Sequence, residues 1–183
     1  MKPITQFTKD QFTKFTPTPV KLKPFDPRNR LIAKEYIKDL DKTLAQWHVQ
    51  AKIIGSTAYG IAGKGAIEVG VFLHGYNWQP VIEKLENTYG KMEVLEKDYA
   101  QFHDEFQNYD IKVMLFKGYA AQVNRKLHDF FLSHPKVLKQ YEDLKKRFAY
   151  SQRDYQKEKQ EFLNDIIEDL PDEREERYAE TSD

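Results

Sequence analysis

At 183 residues, with 40% hydrophobic and 14% aromatic positions, the chain can close one substantial core, and a second full domain would be cramped. Its 29 basic and 29 acidic residues cancel, so net charge gives no global argument for nucleic acid or an anionic membrane surface, and any anion site must be local. The absence of cysteine excludes disulfides, thiolate zinc sites and a cysteine nucleophile.

No apolar run approaches the roughly 20 residues that a membrane helix needs, and the N-terminus shows no signal-peptide hydrophobic region. The expectation is a soluble cytoplasmic protein with no membrane partner. Residues 1–24 carry five lysines against one aspartate, net +4, with Phe7, Phe12 and Phe15 among threonines and prolines. Gln-Phe-Thr-Lys occurs at 6–9 and again at 11–14, too short for a repeat architecture. A basic, aromatic arm suits a single-stranded nucleic acid. The simpler reading is an extension packed on the domain or without fixed structure, and nucleic acid is not expected as a partner.

Phe25-Asp26-Pro27 predicts a helix start, with Asp26 as N-cap and Pro27 in the first helical position. Leu31, Ile32, Tyr36, Ile37, Leu40, Leu44 and Trp47 then recur at helical spacing to about Trp47. The stretch from Ile53 to Leu73 reads IIGSTAYGIAGKGAIEVGVFL: strand, glycine-rich loop, strand. Gly55 permits close backbone approach or positive φ. Ser56 and Thr57 offer hydroxyls at a short helical turn, a layout suited to phosphate. Alternation sends Ile67, Val69 and Val71 to one face, and Glu68, Gly70 and Phe72 to the other, so that Glu68 points at the loop's ligand.

Asn77 is read as the cap of a helix carrying Val81, Ile82 and Leu85 and stopped near Gly90. Strands are expected at Met92–Leu95, Gln101–Phe106 and Tyr109–Phe116; in the last, Tyr109, Ile111, Val113 and Leu115 alternate with Asp110, Lys112 and Met114. From Ala120 the pattern is helical, interrupted at Ser133-His134-Pro135. A final helix opens at Ser151, with Asp154 three residues on, and runs to about Leu170. Residues 171–183 hold six acids and two arginines, net −4, the composition of a disordered acidic tail.

Two familiar glycine motifs fail. A Walker A loop would need glycine where Ala58 stands and a hydroxyl where Gly65 follows Lys64. Gly60, Gly63 and Gly65 lack the dinucleotide spacing. Ser56 lacks the flanking pattern of a nucleophile elbow. His48, His74, His103, His128 and His134 show no metal-ligand spacing.

The stretch does resemble the nucleotidyltransferase superfamily motif: Gly-Ser, a later glycine, then a strand bearing Asp-x-Asp. Gly55-Ser56, Gly60 and Glu68-Val69-Gly70 occupy those places. Within that superfamily it is most similar to the GrpB family. Gly55-Ser56-Thr57, Gly60-Ile61-Ala62 and Lys64 correspond to that family's loop, with one residue fewer before Gly60. Phe130-Phe131-Leu132, His134-Pro135, Tyr141, Leu144-Lys145, Tyr155, Lys159 and Phe162 resemble its C-terminal signature, and Phe25-Asp26-Pro27 its N-terminal one. The similarity covers about residues 20–170.

The resemblance implies an α/β (α+β) fold with a mixed sheet at about 49–118, flanking helices and a C-terminal helical part at about 120–170. The whole of 25–170 would then form a single domain after an extension at 1–24. It implies Glu68 as a catalytic carboxylate on Mg²⁺, and Gly55, Ser56, Thr57 and Lys64 on the phosphates of a nucleoside triphosphate. Asp110, on the polar side of a strand expected beside that of Glu68, is the candidate for the further catalytic carboxylate on Mg²⁺, and Lys112 for a further phosphate lysine; both stand where that family looks histidine-rich. In active members the paired carboxylates hold metal ions that align the α-phosphorus with an attacking hydroxyl. Here Gly70 replaces the second carboxylate, so at most one weakly held Mg²⁺ is expected. Gly70→Asp should raise metal affinity, provided that the fold accepts the side chain. Two readings stand open: a magnesium-dependent nucleotidyltransferase or nucleotide binder with a degenerate acidic site, and a catalytically inactive accessory module. In some bacteria such proteins are fused to a coenzyme A biosynthesis kinase.

Overall fold

The computed structural model describes residues 1–2 and 9–171. Most of the acidic tail and the first three residues of the first Gln-Phe-Thr-Lys lie outside the described residues. The chain divides into two compact units, Lys21–Ser133 and Met1–Val20 with His134–Asp183. No helix among the described residues is long and apolar enough to cross a membrane.

The larger unit is built on a five-stranded mixed sheet in the order β1-β2-β5-β4-β3. Its strands are β1 (Ala51–Ile54), β2 (Ile67–Leu73), β3 (Val94–Leu95), β4 (Tyr99–Phe106) and β5 (Tyr109–Lys117). The two strands flanking the glycine loop are hydrogen-bonded antiparallel neighbours, Ile54 opposite Glu68. β2 runs parallel to β5, and β4 antiparallel to both β5 and β3. This is the mixed α/β architecture that the resemblance implies.

The expected alternation fixes which face is buried. Ile67, Val69, Val71, Ile111, Val113 and Leu115 are all fully buried, packed against α2 (Arg28–Thr43) and α4 (Trp78–Tyr89). Fully burying each such side chain contributes on the order of 1.5–3 kcal/mol. On the opposite face Ile54, Phe72 and Phe116 form a smaller cluster under α5 (Gly118–Ser133). β4 and β5 are joined by Gln107 and Asn108, both at positive φ (52° and 66°), the two-residue hairpin geometry that matches strand twist.

α2 starts at Arg28 with Pro27, not Asp26, in the cap position, one residue later than expected; the Asp26 carboxylate still accepts the Arg28 N–H at 2.9 Å and its carbonyl the Asn29 N–H at 3.0 Å. Pro27 already has helical backbone angles. α2 ends at Thr43, and a 3₁₀ turn, Ala45–Trp47, completes the periodic stretch. Leu31 is read into the helical period from sequence yet is 62% exposed, because it lies on the side of α2 opposite to the buried Ala33, Tyr36 and Leu40. Asn77 precedes α4 but gives it no side-chain cap. It lies in the 3₁₀ turn Gly75–Asn77 with helical backbone, and its buried amide turns to the Trp47 carbonyl.

In the other unit, α6 (Pro135–Arg147) and α7 (Gln152–Asp169) pack together, with Tyr141 stacked on Phe162 at 5.6 Å. Ser151 caps α7, its hydroxyl accepting the Asp154 N–H at 3.2 Å. The described part of the basic extension, including α1 (Lys9–Lys14), belongs to this unit; Arg153 holds its Phe15 and Thr13 carbonyls, and Val20 donates to the Ala149 carbonyl.

Candidate functional site

The glycine loop opens as one short helical turn, α3 (Gly55–Tyr59). Gly55 takes φ 63°, and the Glu68 carboxylate lies so close over it that a Cβ would collide with Oε2. The same holds a few residues on, where Gly63 leaves room for the Ser56 hydroxyl. Gly60, at φ 71°, ends the turn, and its N–H and that of Ile61 (3.1 Å) both donate to the Ser56 carbonyl. Thr57 is buried.

Two residues outside the loop fix its shape. Arg30 of α2 donates to the Thr57 carbonyl at 3.1 Å and the Ala58 carbonyl at 2.7 Å, satisfying the last carbonyls of α3, with its guanidinium over the Phe25 ring. Lys23 pairs antiparallel with Gly63: the Lys23 N–H donates to the Gly63 carbonyl at 2.7 Å, and the Gly63 N–H to the Lys23 carbonyl at 3.0 Å. The Lys23 side chain then runs along Gly65, where a Cβ would stand 2.9 Å from Nζ.

A cleft of about 560 Å³ lies among the segment before α2, the glycine loop and the start of β5. Ser56, Thr57, Lys64 and Asp110 line it, as do Lys23 and Tyr109. Gly55, Glu68 and Lys112 do not: Glu68 lies on Gly55, and Lys112 stands on the sheet between Glu68 and His103, its register partners on either side. Asp110 is bound instead by His103, Nε2 to Oδ1 at 2.9 Å. The seven predicted residues are thus divided between the cleft and an adjoining charged strip of the sheet.

Neighbouring charges are largely matched in pairs. Arg28 binds Asp26 through Nε and Nη2, the latter at 2.7 Å, and this hydrogen bonding holds the Asp26 carboxyl below the usual carboxylate range. Burial and then the Glu68 charge push the Tyr99 phenol above its ordinary value. Sequence reasoning missed Lys23, Arg30 and His103 as site residues. Each acts across the tertiary fold, and the one local signal was the unassigned lysine just before Phe25.

The acidic set does not fit the metal centre that the superfamily motif implies. Mg²⁺ asks for about six oxygen ligands in near-octahedral array. Among the described residues, no group of three His, Asp or Glu side chains could hold a metal ion. Gly70 cannot readily be repaired, because a Cβ there meets Ile54 at 3.0 Å and Phe72 at 3.2 Å in an apolar cluster.

Among solved structures, the chain resembles the Cid1 poly(U) polymerase bound to MgGTP with TM-score 0.43 and 9% identity, over 74% of this chain and 43% of that one. The H336N mutant of that polymerase bound to MgATP gives 0.44 and 10%, over 75% and 47%. The chain thus spans less than half the length of those structures. A search of the curated proteins finds no match. The family model described as GrpB protein matches residues 19–169, taking in the glycine turn, all five strands and α5 to α7, and the chain belongs to the GrpB family.

Proposed function

We propose that this GrpB-family protein binds a phosphate-bearing small molecule, a nucleoside triphosphate, in the cleft beside the glycine loop, and that nucleotidyl transfer there is slow or absent. The observation that carries the reading is the glycine loop itself. It is held tightly by Lys23 and Arg30 and presents Ser56 and Lys64 to a cleft of about 560 Å³. That volume lies within the range of about 300–1,000 Å³ usual for small-molecule sites. Ser56 supplies a hydroxyl donor and Lys64 a point charge for phosphate oxygens.

The slow or absent transfer follows from the carboxylates. Glu68 lies over Gly55 outside the cleft lining, Asp110 is paired with His103, and apolar side chains fill the space at Gly70, where the second carboxylate of the pair would stand. The test is calorimetric titration of the protein with each nucleoside triphosphate, with and without Mg²⁺, beside an assay for pyrophosphate release. We expect binding that Glu68→Gln leaves intact, without rapid release. Rapid Mg²⁺-dependent transfer abolished by Glu68→Gln would restore the two-metal reading, and silence of every nucleotide in every titration would leave an accessory module.

A further inference from the structure

We infer that the cleft meets the charge of its phosphate ligand with lysines rather than a divalent metal, and that Lys23, from the segment ahead of α2, is the second of them beside Lys64 of the loop. The inference rests on the reading of this cleft as a phosphate site and names how the phosphate is held.

Two lysines line the cleft, Lys64 on the loop and Lys23 ahead of α2, and the charges around them mark Lys23 as a second partner for phosphate. Arg28 lines the cleft, but its guanidinium is engaged with Asp26, and the two charges cancel. Asp110 lines the cleft with its carboxylate given to His103. Lys23 also lines the cleft, and among the described residues it forms no ion pair. Its ammonium is exposed and open to an anionic ligand.

Lys23 is also placed, not merely present. Two backbone hydrogen bonds fix it to Gly63, so the root of the side chain moves with the loop. The absence of a side chain at Gly65, at φ 109°, lets the lysine stem lie flat on the loop with Nζ close over it. A side chain already laid down loses less rotamer freedom when it takes a ligand. The ammonium offers three donors to phosphate oxygens.

A lysine site and a metal site answer magnesium in opposite ways. A metal site needs the cation to bind the triphosphate at all. A lysine reads the uncancelled negative charge, which Mg²⁺ bound to the triphosphate reduces. Mg²⁺ should therefore leave affinity unchanged or weaken it.

The experiment titrates the full chain with ATP and with inorganic tripolyphosphate, in EDTA and in excess Mg²⁺, for the native protein, Lys23→Ala and Lys23→Arg. We expect both probes to bind in EDTA, no more tightly in Mg²⁺. Lys23→Ala should weaken both by roughly tenfold or more, the usual scale for a hydrogen bond to a charged group, and Lys23→Arg should retain most of the affinity. Binding that requires Mg²⁺, or binding in EDTA that Lys23→Ala leaves unchanged, would overturn the inference while the phosphate site stands. Failure of every probe under every condition would overturn both. The magnesium comparison is made on the native chain and holds whatever the variants do to folding.

Discussion

On one face of the sheet, Ile67, Val69 and Val71 of β2 stand beside Ile111, Val113 and Leu115 of β5, each fully buried. On the other face the same two strands present Glu68, Gly70 and Phe72 beside Lys112, Met114 and Phe116. The first face is filled by side chains of one kind and would be weakened by taking atoms away. The second is organised around glycines whose missing side chains other groups occupy. Glu68 fills the space at Gly55, Ser56 at Gly63, and Ile54 and Phe72 at Gly70. It is weakened by adding atoms. Family membership is written in both faces, whereas chemistry depends on the second alone, where the departures from the active pattern fall.

The largest expected effect tests the second face at Gly70. Gly70→Asp would press a Cβ onto Ile54 and Phe72 and place a carboxylate in the apolar cluster formed with Phe116 and Ala121. Overpacking and an unpaired buried charge together should cost about 3–5 kcal/mol. Urea denaturation measures the loss, and titration with Mg²⁺ should show no gain in affinity. A stable variant that binds Mg²⁺ more tightly would mean that the cluster yields and that the site is one substitution from the active pattern.

A smaller effect is expected at Gly55. Alanine there must keep φ near 63° and displace the Glu68 carboxylate. The left-handed backbone costs about 1–2 kcal/mol for a residue with a Cβ. The carboxylate is the mobile end of a flexible side chain and can move aside. The denaturation midpoint should therefore fall by that backbone amount, and Glu68→Ala added to Gly55→Ala should recover only the smaller part. Full recovery in the double variant would show that Glu68, not the backbone, sets the geometry of the turn.

How much of this was legible depended on the range of the interaction. The alternation of β5, the Ser151 cap and the helix start at Asp26 are local patterns, and the structure reproduces them within a residue or so. The glycine loop was legible as a loop for the same reason. Asn77 failed because its backbone was already helical and its amide faced inward, a choice made by burial rather than by propensity. Asp110 was placed correctly on the polar side of a strand neighbouring β2. Its pairing with His103 depends on the diagonal across β4 and β5, which a single sequence does not specify. Lys23 and Arg30 were invisible as site residues because their partners lie about 30 to 40 residues away on another element.

The smallest effect concerns the seam between α5 and the glycine turn. His128 of α5 packs its ring at 5.6 Å from Tyr59 of α3, and its Nδ1 is buried without a hydrogen-bond partner among the described residues. A protonated imidazole must donate from both nitrogens, so the charged form would leave a donor unmet in an aromatic seam. Burial accordingly lowers the His128 pKa, outweighing the attraction of Asp129, and Lys52 pushes it the same way. The sign follows: below the ordinary histidine value of about 6.5, the unfolded chain takes up a proton that the folded chain resists. The folded state therefore loses stability as pH falls from about 6.5 towards the lowered value, and gains nothing from this group above about 6.5. His128→Gln should flatten that dependence in urea denaturations between about pH 7 and about pH 5, with little change at the neutral end. The affinity of the cleft for ATP should decline more steeply over the same interval in the native protein than in His128→Gln, because α3 carries both Tyr59 and Ser56, while protonation of the terminal phosphate weakens both proteins alike. Equal slopes in the two proteins would move the acid sensitivity away from this seam.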